Sequence, residues 1–520
     1  MTFRIALKSI QEKCGIAAVI APPGRDAAPV AAAMGAELVH RGQDGGGMAG
    51  KPMGQPFRVH KAIGTFDAIF HSAEVLQQLG ISGEIAVSHT RYRTMGLADD
   101  VSYAQPVIVT EAGRTLVGGH NGNIANYADL QKELPSGGDY LDSYGNVDRA
   151  GKRMPPLDSE ILFRRIARAD GATWAERIAN GLKGAEGAYS LIIATEEDEV
   201  FALRDPWGIR PLSWGKAKGY YLVASESCVL DSQRAVDQHE IRPGEMWRFR
   251  PGAEPERIEL ASGRERKYCD FEDWYFSFGP SVRNGVEVGA IRKQCGVELA
   301  REEVESGRLV NADIVIGVPE TGRTGAITFA RALGLDYDDG IYKGRSTKQT
   351  RRTFIEMSDL LRQQGGEHKY KLSRTLRDKV VYVVDDSSVR LTTWRILFRN
   401  MREFFGVREI HARSLAPKFI RPCVLGVNIN EREELGAVEK RDGAWRVRSD
   451  ESIARRVGAD SVAFLSMAGR AAVRSHFEEA PEAFCGYCHG DDGPPFDFNR
   501  YDPEKRLEQY SPADAPARRP

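Results

Sequence analysis

Residues 380–393 read VVYVVDDSSVRLTT. An unbroken apolar run ends in two adjacent carboxylates, and a hydroxyl-rich loop then leads into TTWRILFRNMREFF, a helix-like stretch. In open parallel sheets ligands sit at the carboxyl ends of the strands. The free N–H groups of a following helix attract phosphate. Asp385 and Asp386 are therefore placed to face two hydroxyls or a hydrated metal, with Ser387, Thr392 and Thr393 around a phosphate. An ordinary strand–helix turn capped by Ser or Thr is the plainer reading. The acid pair counts against it, because two neighbouring carboxylates at the end of a buried strand need a function or a partner.

The same rhythm extends outward from this stretch. VGAIRKQCGVELAREEVESG (288–307), ADIVIGV (312–318) and GAITFARALG (325–334) read as helix, buried strand and helix. Strands separated by helices predict parallel βαβ units. The first half is different. Short strand-like runs recur there with Gly and Asn turns: CGIAAVI (14–20), GEIAVSHTRY (83–92), TLVGGHNGN (115–123), YSLIIAT (189–195) and YYLVASES (220–227). That pattern predicts an antiparallel, layered α+β domain. The change of rhythm sets a boundary near 261–267, ASGRERK, and an acidic, Pro-rich tail begins at about Asp491.

The bulk properties exclude several classes. The 520 residues exceed a single core, and 72 basic side chains balance 73 acidic ones. Such a balance offers no surface for nucleic acid or membrane. No apolar run approaches the roughly 18 residues of a membrane span. The first thirteen residues, MTFRIALKSIQEK, lack the continuous apolar segment of a secretory signal. Seven cysteines, an odd number, do not form a secreted disulfide framework. The expected compartment is the reducing cytoplasm.

Cys14 precedes Gly15 and a strand-like run in QEKCGIAAVI. A nucleophilic cysteine needs a base, yet His40, His89 and His120 sit beside Gly- or Arg-containing turns in no Cys/His constellation. A chain beginning at Cys14 would supply its own base, an α-amine with a reference pKa of about 7.7–8.0. In the uncut chain that nitrogen is an amide, so this reading requires cleavage after Lys13. HNGN (120–123) offers the Asn121 side-chain amide and the Gly122 N–H as donors to an oxyanion. Arg91 in HTRYRTMG suits a carboxylate, and Asp158 in LDSE suits an ammonium.

Together with HRGQDGGG (40–47), RDPWGIRPL (204–212), ASES (224–227) and RPGE (242–245), these motifs resemble the class II glutamine amidotransferase domain. The resemblance implies an N-terminal-nucleophile hydrolase with a four-layer αββα fold, apart from an insertion around 136–155. The 380–393 stretch resembles the phosphoribosylpyrophosphate (PRPP) motif of type I phosphoribosyltransferases, and most closely the version in the glutamine PRPP amidotransferase family. GVPETGR (317–323) resembles that family's pyrophosphate loop, and YKGRSTKQTRRTFI (342–355) its mobile loop. The family usually has Gly where this chain has Leu391, and its mobile loop is a few residues shorter.

The resemblance implies a leader at 1–13, a glutaminase domain at 14–262, a parallel-sheet phosphoribosyltransferase domain at 263–490 and a flexible tail at 491–520. It implies that Cys14 takes glutamine to a γ-glutamyl thioester, with Asn121 and Gly122 on the oxyanion and Arg91 and Asp158 on the amino-acid end. Ammonia then displaces pyrophosphate from PRPP, giving 5-phosphoribosylamine. Glu320, Thr321, Gly322, Lys343 and Arg352 are implied as diphosphate contacts, and Mg²⁺ as a cofactor at Asp385 and Asp386. Two other readings are a divergent paralogue with another ammonia acceptor, and a non-catalytic nucleotide-binding regulator. The family also implies purine nucleotide inhibitors and a homo-oligomer, commonly a tetramer.

Cys485 and Cys488 form a C-x-x-C in FCGYCHG, and Cys269 and Cys423 are distant companions. Spacing alone leaves a redox pair, a zinc site and an iron–sulfur cluster open. The resemblance implies the last, since one branch of the family combines a propeptide with a [4Fe–4S] cluster on cysteines in these contexts. Cys228 and Cys295 read as ordinary buried thiols.

Overall fold

The computed structural model describes residues 14–92, 101–135, 157–260, 265–343, 370–427, 429, 431–491, 493 and 500. The leader 1–13, Arg352 with most of the mobile-loop stretch, the 136–155 insertion and nearly all of the tail lie outside the described residues.

Two antiparallel sheets build the first half. One runs through seven strands, with Gly15–Ile20 between Tyr220–Ala224 and Ile85–Arg91. The other has six, with Arg114–Ile124 beside Gly187–Thr195. Alternation along GIAAVI explains how they layer. Ile16, Ala18 and Ile20 enter a core shared with Val117, Ile192 and Ala202 of the facing sheet. Ala17 and Val19 point the other way, onto Ala28, Ala31 and Met34 of helix Ala28–Glu37. Helices Asp158–Arg168 and Trp174–Gly181 cover the far side of the second sheet through Ile161, Phe163, Ile166, Trp174 and Ile178. The result is the expected αββα stack, because a strand apolar on both faces needs a cover on both.

The second half holds a five-stranded parallel sheet, in the order Tyr337–Asp338, Ile314–Gly317, Val380–Asp385, Glu409–Ser414, Ser461–Phe464. Here too alternate side chains serve two cores. Val380, Tyr382 and Val384 pack with Ile291, Leu299 and Phe329 of helices Val288–Glu305 and Gly322–Leu333. Val381 and Val383 pack with Trp394, Leu397 and Phe398 of helix Thr392–Glu403. A short parallel pairing of Tyr268–Cys269 with Phe484–Cys485 ties the start of this half to its end. Cys295 is fully buried as expected, whereas Cys228 is only partly buried, on a short helix where its thiol meets Ser281.

Candidate functional site

Cys14 is buried at the mouth of the Gly15–Ile20 strand. Its Sγ donates weakly to the Tyr92 carbonyl at 3.8 Å, and its own carbonyl accepts Arg41 Nε at 3.2 Å. Burial pushes the thiol pKa up; the Tyr92 contact and the Arg91 and Arg41 cations oppose that shift, and Asp158 adds to it. Cys14, Arg91 and Asp158, more than a hundred positions apart at the extremes, thus share one electrostatic neighbourhood.

The histidines spend their hydrogen bonds elsewhere. His40 meets Glu226 at 2.9 Å, His89 the His120 carbonyl at 3.3 Å, and His120 the Ser159 hydroxyl at 2.9 Å. Asn121 is 1% exposed, and its Nδ2 is a buried donor with no acceptor among the described residues. Leaving such a donor unmet costs about 1–3 kcal/mol, so an oxyanion that meets it is favoured. Gly122 has φ 150°, and a Cβ there would overlap the Ala188 carbonyl and lie 2.8 Å from His120 Nε2. Only glycine lets the strand bend at this point. Asp158 does more than its sequence context suggested: its carboxylate accepts the N–H groups of Ile124 and Ser159, each at 2.8 Å, and so pins the end of the Asn121 strand to its own helix.

The sequence reading gave no role to a buried charge network behind Cys14. Arg41 lies between Glu226 (2.5 Å) and Glu272 (3.3 Å). Glu272 also pairs with Arg210 at 3.1 Å, and Arg210 reaches Cys269 Sγ at 3.9 Å and the Leu425 carbonyl at 2.7 Å. Asn123 Nδ2 donates to the Val424 carbonyl at 2.8 Å. Cys14 of the first half is therefore joined to Cys269 of the second through the fully buried Arg41, Glu272 and Arg210. HRGQDGGG, ASES and RDPWGIRPL carried three of these residues, but nothing local discloses their partners.

Cys269 stands opposite Cys485 in the short parallel pair. Burial pushes the thiols of Cys423, Cys485 and Cys488 up, and neighbouring thiols of the set push further, Cys269 acting on all three. The four cysteines are thus neighbours, all free. No group of three His, Cys, Asp or Glu among the described residues is arranged to hold a single metal ion.

At the ends of the parallel strands the two expected loops meet. The Thr321 hydroxyl bonds Asp386, and a Cβ on Gly322 would come within 3.0–3.2 Å of the backbone of Val384 and Asp386. Ser387 donates to Asp386 Oδ1 at 2.7 Å. Asp385 accepts Trp394 Nε1 at 2.7 Å and the Asp386 N–H at 3.0 Å. Thr392 and Thr393 begin helix Thr392–Glu403, whose N-cap is Leu391 and whose first N–H groups receive no side-chain cap. Glu320 is exposed on the facing loop, and Lys343 is exposed at the end of strand Ile341–Lys343, beyond which the chain is not described.

A family model described as a glutamine amidotransferase domain matches residues 89–232. The amidophosphoribosyltransferase of Bacillus subtilis is 33% identical over 486 residues, 93% of either chain. That of Drosophila melanogaster is 32% identical, covering 89% of this chain and 84% of its own. Among solved structures, the glutamine PRPP amidotransferase of B. subtilis complexed with ADP and GMP superposes with a TM-score of 0.78 at 31% identity, covering 92% of this chain and 97% of that one.

Proposed function

This chain belongs to the amidophosphoribosyltransferase family, and on that premise we propose that it makes 5-phosphoribosylamine, glutamate and pyrophosphate from glutamine and PRPP. The observation that carries the reading is the buried Asn121 donor with no acceptor among the described residues, in a chain related to that family along nearly its whole length. The domains are the glutaminase at 14–262 and the phosphoribosyltransferase at 263–490, with a leader before them and the tail 491–520 behind.

Cleavage between Lys13 and Cys14 frees an α-amine, which takes the proton from the Cys14 sulfur. The thiolate attacks the glutamine side-chain carbonyl, and Asn121 Nδ2 and the Gly122 N–H hold the oxyanion. Arg91 grips the α-carboxylate and Asp158 the ammonium. The α-ammonium returns its proton to the leaving nitrogen, so that the tetrahedral adduct expels ammonia. Water deprotonated by the same amine then cleaves the thioester to glutamate and frees the thiol. In the second half, Ser387, Thr392 and Thr393 take the 5-phosphate with the free N–H groups of the helix, and Asp385 and Asp386 face the ribose hydroxyls. Glu320, Thr321 and Gly322, with Lys343 and Arg352, surround the diphosphate that ammonia displaces.

Mg²⁺ suits this oxygen donor set and, bound with the diphosphate, neutralises the leaving group's charge. Asp385 and Asp386 would hold it, with the Thr321 and Ser387 hydroxyls on Asp386 and the Trp394 indole on Asp385. The all-cysteine set of Cys269, Cys423, Cys485 and Cys488, two of them buried and two half-buried, with Arg210 against Cys269, suits a [4Fe–4S] cluster with a structural role. Purine nucleotides act as inhibitors, as the ADP and GMP of the solved relative suggest. The protein works as a cytoplasmic homo-oligomer, a tetramer by resemblance.

Leu391 in the phosphate loop favours a second reading, an intact glutaminase serving another ammonia acceptor. One experiment separates the two: glutamate release accelerated by PRPP, with pyrophosphate formed in equal amount, supports the first. Indifference to PRPP supports the second. Mass and N-terminal sequence of anaerobically purified protein test the leader and the cluster together; Cys14 as first residue is the expected result.

A further inference from the structure

Leu391 has φ 58° and ψ 1°, the left-handed conformation, immediately before the helix that begins at Thr392. A side chain there meets its own backbone, and glycine is the residue that takes up this conformation freely. Leu391 is nevertheless 3% exposed and belongs to the apolar cluster of Trp394, Phe398 and Ala437. Gly436 provides the space. A Cβ built on Gly436 would fall 2.6 Å from Leu391 Cδ1 and closer still to its Cγ. Two further ties join the same segments. The Gly436 N–H donates to the Val389 carbonyl at 2.8 Å, and Arg390 forms an ion pair with Glu434. Residues 389–391, the link between the acid pair and the phosphate helix, are thus held to 434–436 by a backbone bond, an ion pair and an apolar wedge.

We propose that Leu391 is a positioning residue for PRPP: its side chain, wedged onto Gly436, keeps the 387–393 loop in a single preformed anion-binding shape. The inference rests on the phosphoribosyl reading above. A loop free to sample other shapes loses that freedom when the anion binds, whereas a loop already held does not. The hydrophobic burial of Leu391 offsets the conformational cost of its positive φ.

The test is a double-mutant cycle on the full chain, with KM for PRPP and kcat read from pyrophosphate release. Leu391→Gly and Gly436→Ala should each raise KM roughly tenfold while kcat stays within about twofold, because the loop is loosened rather than the chemistry removed. Leu391→Ala, which withdraws the wedge but keeps a Cβ, should fall between. The decisive arm is the pair: Gly436→Ala should cost much less once Leu391 is glycine, since the three atoms nearest the added methyl all belong to the Leu391 side chain. An unchanged or lowered KM in Leu391→Gly overturns the proposal, as does an equal Gly436→Ala penalty in both backgrounds. If Gly436→Ala folds only in the Leu391→Gly background, the wedge is supported; failure in both overturns it. A wild-type protein that releases no pyrophosphate fails the phosphoribosyl reading instead and, with it, any role of the wedge toward PRPP.

Discussion

Arg41 Nε donates to the carbonyl oxygen of Cys14 at 3.2 Å, while the rest of the same guanidinium is clasped by Glu226 and Glu272. Cys14 is therefore fixed through its backbone by a cation whose own position depends on residues of both halves. The fork is what matters, since three separate acceptors are served at once. Arg41→Lys keeps the charge and loses the fork; glutaminase kcat/KM should fall by about a hundredfold. Arg41→Ala leaves buried Glu226 to His40 and buried Glu272 to Arg210, and should destabilise the fold by about 2–4 kcal/mol, read by urea unfolding.

Asn121 offers a sharper kinetic prediction. Its Nδ2 meets no acceptor among the described residues, and on the proposed mechanism it gains one when the oxyanion forms. Asn121→Ala should lower glutaminase kcat by about 10²–10³ with little change in KM for glutamine. A matched rise in KM with kcat preserved would reassign Asn121 to substrate binding.

Trp394 holds Asp385 through a 2.7 Å bond from its indole nitrogen. Trp394→Phe keeps most of the ring in the core and deletes the donor. KM for PRPP should rise by about tenfold to a hundredfold, the worth of one hydrogen bond to a charged group, with folding largely intact. Isothermal titration with PRPP, independent of turnover, should report the same loss.

The four cysteines give a prediction in composition. Cys269→Ser or Cys488→Ser should lower the iron bound per chain and the visible absorbance of anaerobically purified protein, and should shift unfolding to lower urea. Full iron content in either variant would remove that cysteine from the ligand set.

His89 supplies a pH dependence. Burial holds its imidazole pKa down at about 3, and the His120 carbonyl only partly opposes that shift. In the unfolded chain the ring takes a proton near pH 6.5. Between those values the unfolded state binds more protons, so this group makes stability fall as pH drops from about 6.5 towards 3, at about 1.4 kcal/mol per unit. Above pH 6.5 it contributes no pH dependence. His89→Gln should flatten the urea-unfolding profile between pH 6.5 and 5 relative to the wild type.

The legible part of this protein was its periodicity and its punctuation. The strand-like runs with Gly and Asn turns disclosed an antiparallel layered half, and strands alternating with helices disclosed a parallel sheet in the other; the four layers came from the family resemblance. Asp385, Asp386, Thr392 and Thr393 were legible as a strand end, an acid pair and a helix start because those features are contiguous, and the structure keeps them together. What escaped was every relation between distant buried charges. Arg41, Glu226 and Arg210 each sit in a motif that could equally mark a turn, Glu272 sits in none, and charge alone does not say which carboxylate meets which guanidinium.

Local sequence determines which backbone each segment prefers and which side chains want water, because those are short-range properties of the residues themselves. It settled that Cys14 opens a buried strand and that Leu391 precedes a helix. Tertiary structure alone decided that Arg41 grips the Cys14 carbonyl, that Arg210 reaches Cys269, and that Gly436 makes room for Leu391. Those pairings exist only once separate layers close on one another, since buried groups take whichever partner the packing brings within reach.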